Sequence, residues 1–216
     1  MTGNTHLSLG VAAGAVAVGV TGSGDDVTAS AAMVLIASLG SMLPDIDEQG
    51  STLNNLLFRS IPYRSVALAL FGVIFVLLAL FRNLDLWILL SGIYAVSVAF
   101  VPHRSFTHSF LSMTITTWIT YLASPDYAWA MGAGYLSHLL ADACTPRGIP
   151  LLWPWKKRFG LKNLGVKLRT GDDFDKMTGK VSMYGGCMAL VFLLFQDASY
   201  DAFTQSLEGL KGLFTD

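Results

Sequence analysis

Seven stretches of this sequence are apolar and almost free of charge: His6 to Val20, Val27 to Leu43, Tyr63 to Phe81, Leu84 to Val101, His108 to Ala123, Tyr127 to Cys144 and Val181 to Gln196. Runs of about 20 such residues match the thickness of a bilayer's hydrocarbon core. No water is available there, so a spanning backbone must satisfy its own N–H and C=O groups, and a helix does this within one segment. These runs therefore predict an all-α fold, a polytopic membrane helical bundle of about seven spans. The third run, containing GVIFVLLALF, carries one charge, Arg64, near its start.

The charge content agrees. Of 216 residues, 53% are apolar and 13% charged, about half the roughly 25% charge usual in soluble domains. Mean hydropathy is +0.53. Fifteen acids and fourteen bases are too few to clothe a soluble surface of this size. Disorder, a nucleic-acid-binding tail and an ordinary cytosolic enzyme are disfavoured, and the net charge of −1 argues against nucleic acid as a partner. Cys144 and Cys187 lie in apolar stretches, which is neither a disulfide framework nor a cysteine zinc site. No Lys or Arg precedes the first apolar run, so it is not read as a cleaved signal.

Loop charges orient the bundle. With the N-terminus cytoplasmic, Arg59, Arg64, Arg104, Arg147, Lys156, Lys157, Arg158, Lys162, Lys167, Arg169, Lys176 and Lys180 fall on the inner side, 12 of the 14 bases. Only Arg82 and Lys211 fall outside. The expected location is the inner (cytoplasmic) membrane, crossed several times. Residues 1–216 form a single unit. Within it, 63–101 is a helical hairpin, 145–180 a basic cytoplasmic loop and 197–216 an amphipathic tail with apolar residues at Phe203, Leu207, Leu210 and Phe214. The competing topology has five spans, with that hairpin lying at the interface.

The four histidines are not scattered. His6 opens the first run, His103 and His108 lie between the fourth and fifth, and His138 ends the sixth together with Asp142. Asp45 and Asp47 close the second, after Pro44. In the N-in topology all seven groups share the cytoplasmic face. His138 and Asp142 are four apart, so a helix projects both from one face. Asp45 and Asp47 are two apart and point the same way in an extended segment. A mixed His/Asp set suits Zn²⁺, with Mn²⁺ or Fe²⁺ as alternatives, and seven donors exceed one tetrahedral site, so one to three divalent ions are expected. Each residue alone could be a helix cap or a snorkelling group. As a set, ionisable groups at membrane depth are costly and usually functional.

The motifs LPDID, HRSFTHS, GYLSHLLAD and TPRGIPLLWPW, with a histidine in the first helix, resemble the YdjM-type family, described as LexA-regulated, membrane-bound, metal-dependent hydrolases. The resemblance covers the first two spans, then His103 to about Arg158, and more weakly the stretch to Lys176. It implies metal ligation by His6, Asp45, Asp47, His103, His108, His138 and Asp142. Members often carry Gly followed four residues later by Glu; here Gly171 is followed by Asp175, a shorter carboxylate. Residues 63–101 look like an insertion relative to shorter members. The HxxxD pair is also similar, by analogy, to the helical zinc phospholipase C and single-strand nuclease group.

Two metals can activate water and clamp the oxygens of a phosphoester. Arg104 suits a phosphate but equally an inside-positive anchor. Asp47 or Asp142 is the candidate proton acceptor. Thr107 and Ser109 either orient the histidines or cap the fifth helix. Arg147 and Trp153 lie in a segment whose prolines forbid regular helix; Trp153, Trp155 and the following bases suit a lipid headgroup or a plain interfacial anchor. The expectation is therefore a hydrolase of a phosphoester in a lipid or lipid-linked substrate, phosphoesterase or phospholipase-like. A metal-ion transporter and a non-catalytic metal-stabilised scaffold are the competitors.

Overall fold

The computed structural model describes residues 1–46, 64–102, 104–155, 157–160 and 170–212, with side chains through residue 196 apart from that of Arg64. Among the described residues seven α-helices form the chain: α1 Gly3–Thr21, α2 Val27–Met42, α3 Arg64–Arg82, α4 Leu86–Phe100, α5 Phe110–Ala123, α6 Ala128–Ala143 and α7 Asp173–Gly212. No strand is present among those residues; one isolated antiparallel bridge joins Ile149 and Phe159. Four helices are long and apolar enough to cross a membrane: Gly3–Thr21, Val27–Asp45 (α2 with its following turn), Ser65–Arg82 and Asp173–Gln196. Helices α4 and α5 are apolar but shorter. At 1.5 Å per residue they reach roughly 20 Å of a roughly 30 Å core. The segment that joins them carries Arg104 and a 3-10 turn ending in His108 instead of further helix.

Local chemistry sets the boundaries. Thr2 accepts the Thr5 amide to cap α1, and Asp26 accepts the Thr28 and Ala29 amides to cap α2, which satisfies amides the helix cannot pair. Gly22 ends α1 in the left-handed region, φ 68°, and returns its N–H to Val18; lacking a Cβ, glycine adopts this conformation at little cost. Pro44 converts the end of α2 into a 3-10 turn, Leu43–Asp45, because its ring cannot continue an α-helix.

Two departures from the sequence-based expectation concern the last third of the chain. The loop after α6 ends by residue 172, not 180, and α7 runs on through residue 197 to Gly212 without a break. Asp172 accepts the Asp175 amide at 2.9 Å, and Asp173 and Asp175 occupy the first turn, where acids favour the helix dipole. Charges that read as loop are the N-terminal signal of a helix. Side chains of the tail lie outside the described residues, so its amphipathic face does too.

Close helix packing comes from small residues. A Cβ on Gly14 would lie 2.6 Å from Val34 Cα, and one on Gly134 would collide with the Ala37 backbone. Helix α2 is thereby pressed between α1 and α6. Their shared core is Ala17, Val18, Met33, Ala37 and Ala130. The α3–α4 hairpin docks through Ala67, Leu68 and Val98 onto Phe106, with Ile46 alongside. Both latter residues adjoin proposed ligands. The start of α1, the end of α2, the start of α5, the end of α6 and the start of α7 thus meet at one end of the bundle.

Candidate metal centre

Five of the seven proposed ligands converge there: His6, Asp45, His108, His138 and Asp142. Their ligand atoms form two groups, His6–Asp45–His138 and His108–His138–Asp142, each lying within 4.8 Å of one another. His138 belongs to both. Its Nε2 lies 3.3 Å from His108 Nε2 and 3.8 Å from Asp45 Oδ1. His108 Nε2 is 3.4 Å from Asp45 Oδ1 and 3.6 Å from Asp142 Oδ2, and His6 Nε2 is 3.3 Å from Asp142 Oδ1. The His6 and His138 rings stack at 3.8 Å. The other two proposed ligands, Asp47 and His103, lie outside the described residues.

The surroundings orient these donors. His138 donates Nδ1–H to the Ser41 carbonyl at 2.7 Å, so in the neutral ring Nε2 is a lone pair aimed at the centre. Thr107 Oγ1 stands 3.1 Å from His108 Nδ1 and can accept that N–H, turning His108 Nε2 inward in the same way. Thr107 is itself held: its carbonyl accepts the Tyr135 hydroxyl at 2.5 Å. Tyr135, having spent its proton, accepts from Ser112 at 2.7 Å, and Ser112 accepts from Tyr94 at 2.8 Å. This hydroxyl chain runs from α4 through α5 and α6 to the 3-10 turn that carries His108. Sequence reasoning missed Tyr135 and Ser41. Tyr135 is three residues before His138, on the same helical face, which was the available signal.

Burial makes the cluster expensive without a cation. His6, His108, His138 and Asp142 are at most 1% exposed. Yet His6 Nδ1 and Nε2, Asp45 Oδ1 and Asp142 Oδ2 make no well-formed hydrogen bond; the last three meet only ion-pair partners, the nearest at 3.1–3.4 Å. Buried unsatisfied polar atoms are uncommon and call for an explanation such as an ion. Imidazole nitrogens and carboxylate oxygens facing one another are a donor set that a divalent ion satisfies. The residues therefore fit a metal.

The other proposed positions differ in placement. Arg104 Nη2 pairs with Asp142 Oδ2 at 3.1 Å, with a side chain 16% exposed, while Nη1 is buried without a partner. Its backbone sits at φ 57°, a costly conformation for a residue with a Cβ. With Asp45, 14% exposed, Arg104 forms the accessible rim. Ser109 caps α5, accepting the Ser112 amide at 3.3 Å. Arg147 is exposed on the turn after α6. Trp153 packs edge-on against Phe106 at 5.4 Å. Asp175 is outside both donor groups. Its Oδ2 accepts the Thr2 and Gly171 amides at 3.0 and 2.7 Å, tying α7 to the start of α1. The Met1 nitrogen contacts Asp142 Oδ1 at 2.6 Å.

The sequence model of the family described as YdjM inner membrane protein matches residues 1–195. The chain belongs to this family. Relatives include inner membrane protein YdjM of Escherichia coli (strain K12) and of Shigella flexneri, each 47% identical over 66 residues, covering 27% of this chain and 34% of the relative. Uncharacterized protein YvsG of Bacillus subtilis (strain 168) is 48% identical over 54 residues, covering 24% of the chain and 34% of that protein. The matched stretches thus span about a third of these relatives. No solved structure matches. YdjM membership and the apolar helices place the chain in the inner membrane.

Proposed function

We propose that the chain is a metal-dependent hydrolase whose centre, at the cytoplasmic face, cleaves a phosphoester in a lipid or lipid-linked substrate. The observation that carries this reading is the buried convergence of three imidazoles and two carboxylates, several of whose polar atoms lack well-formed hydrogen bonds. His6, Asp45, His108, His138 and Asp142 would hold one or more divalent ions, with Asp47 and His103 as further ligands. Such ions supply Lewis acidity toward a phosphoryl oxygen and make water a better nucleophile. Arg104, whose side chain is 16% exposed on the rim, offers its guanidinium to a phosphoryl oxygen, a charge-assisted contact. Asp47 or Asp142 takes the proton from the attacking water. Thr107, through His108, and Ser41, through His138, hold the rings in place.

The donors gather at one end of the helices, away from the midplane where transport sites usually lie. The test is to purify the full chain, count bound zinc, manganese and iron, and assay phospholipid and a generic phosphodiester. Bound metal with cleavage that His138→Ala and Asp142→Ala abolish is expected. Absence of metal sinks the reading. Metal without cleavage returns it to a scaffold, and metal-driven flux in vesicles to a transporter.

A further inference from the structure

We propose that the bundle binds one two-chained lipid, its acyl tails lying in two grooves on either side of a ridge made by Thr114 and Trp118 of α5. The headgroup end of this inference rests on the metal-centre reading above; the grooves do not.

Two cavities of about 760 and 440 Å³ flank α5, and Thr114 and Trp118 line both. Both fall in the size range of small-ligand sites, roughly 300–1,000 Å³. The larger runs between α1, α5 and α6. On α5 it extends from Met113 to Tyr121, eight residues or about 12 Å, much of the roughly 15 Å of one leaflet. The smaller runs between α4 and α5, from Ser97 down to Leu90, a similar length.

Among the described residues no metal donor lines either groove, but the near end of each lies within a few residues of one. Leu136, in the larger, is two residues before His138. Met113, also in the larger, packs on the Tyr135–Leu139–Ile149 cluster. Phe106, in the smaller, shares its 3-10 turn with His108 and follows Arg104 by two residues. Two apolar linings that flank one helix, share its ridge and run the same way into hydrocarbon fit the two tails of one lipid, with its polar head toward the end of the bundle that holds Arg104 and Asp45. A single-tailed amphiphile would leave one groove unfilled. A helix from a second copy, about 10 Å wide with its side chains, would rest on the ridge instead of filling both sides.

The test uses the full chain, reconstituted in vesicles of diacyl phosphatidylethanolamine and phosphatidylglycerol and then washed in delipidating detergent. Retained phospholipid and bound metal are counted in the same sample. Ala133→Phe fills the larger groove and Ser97→Phe the smaller; Met188→Phe, on the exposed face of α7, is the control. Wild type and Met188→Phe should retain about one diacyl lipid per chain. Each filled variant should retain about tenfold less, with metal content unchanged as the sign of an intact fold. Monoacyl lipid should be retained at least tenfold less well than diacyl lipid. Equal retention by the filled variants, equal retention of monoacyl lipid, or a dimer that Ala133→Phe dissociates would each overturn the proposal. Lipid retained without metal supports the grooves and overturns only the hydrolase reading. Metal bound without lipid does the reverse.

Discussion

The His138 imidazole donates Nδ1–H to the carbonyl of Ser41, 2.7 Å away and 97 residues earlier in the chain. This bond joins the end of α6 to the end of α2 and leaves Nε2 facing the other donors. Because His138 is common to both donor groups whereas His6 belongs to one, the two positions are not equivalent. His138→Ala should lower metal content further than His6→Ala does, measured by elemental analysis of protein purified in parallel. Equal losses would contradict two groups sharing one imidazole.

Thr107 touches the proposed ligand His108 and belongs to neither donor group. Thr107→Val keeps its shape and removes the oxygen 3.1 Å from His108 Nδ1. Removing such an outer partner typically weakens metal binding by about 10- to 100-fold. Competition with a chelator of known affinity reads this directly. An unchanged affinity would mean that His108 is oriented by packing alone.

Tyr135→Phe acts one step further out. It leaves the Thr107 carbonyl without the Tyr135 donor, and Ser112 without the acceptor at 2.7 Å. Both groups are buried, so the expected loss is about 1–3 kcal/mol of stability. A denaturation series in a fixed detergent would show it. Ser112→Ala in the Tyr135→Phe background should add less than it does in wild type, since coupled groups are not additive.

Much of the site was legible because membrane chains are sparing with ionisable groups. Four histidines and a few aspartates stood out against uncharged runs, and helical spacing paired His138 with Asp142. Three things were not legible. The pairing of His6 with Asp142, 3.3 Å apart, depends on how α1 packs against α6, which no local pattern encodes. Tyr135, Ser112 and Tyr94 look like ordinary helix residues, since hydroxyls within helices commonly bond their own backbone, as Ser97 and Thr120 do here. The start of α7 was hidden because hydropathy counts Asp173, Asp175 and Lys176 as loop, whereas an N-terminal turn favours acids. Asp175 serves that helix end and α1 and stands outside both donor groups.

Gly134 carries the contact between α6 and α2. A Cβ there would meet Ala37 backbone atoms on the facing helix, which cannot rotate aside as a side chain would. Gly134→Ala should force the helices apart, at a typical overpacking cost of about 1–3 kcal/mol. The same shift would lengthen the His138–Ser41 bond, so metal content should fall with stability. Gly185→Ala, on α7 where no atom lies within 4 Å of a new Cβ, is the comparison and should lower neither. A Gly134→Ala protein with wild-type stability and metal would show that the crossing is looser than its geometry indicates.

Arg104 separates ligand geometry from substrate chemistry. Its guanidinium pairs with Asp142 while Nη1 has no hydrogen-bond partner. Lysine keeps the charge but loses the planar fork. Arg104→Lys should therefore retain metal, because the imidazoles and Asp45 still face the centre. Its kcat/KM on a phosphodiester should fall about 10²-fold, the scale for removing one donor from developing charge. Metal analysis and steady-state kinetics on one preparation decide the matter. Loss of metal would assign Arg104 to holding Asp142 in place. Unchanged kinetics with unchanged metal would assign it to anchoring at the membrane face.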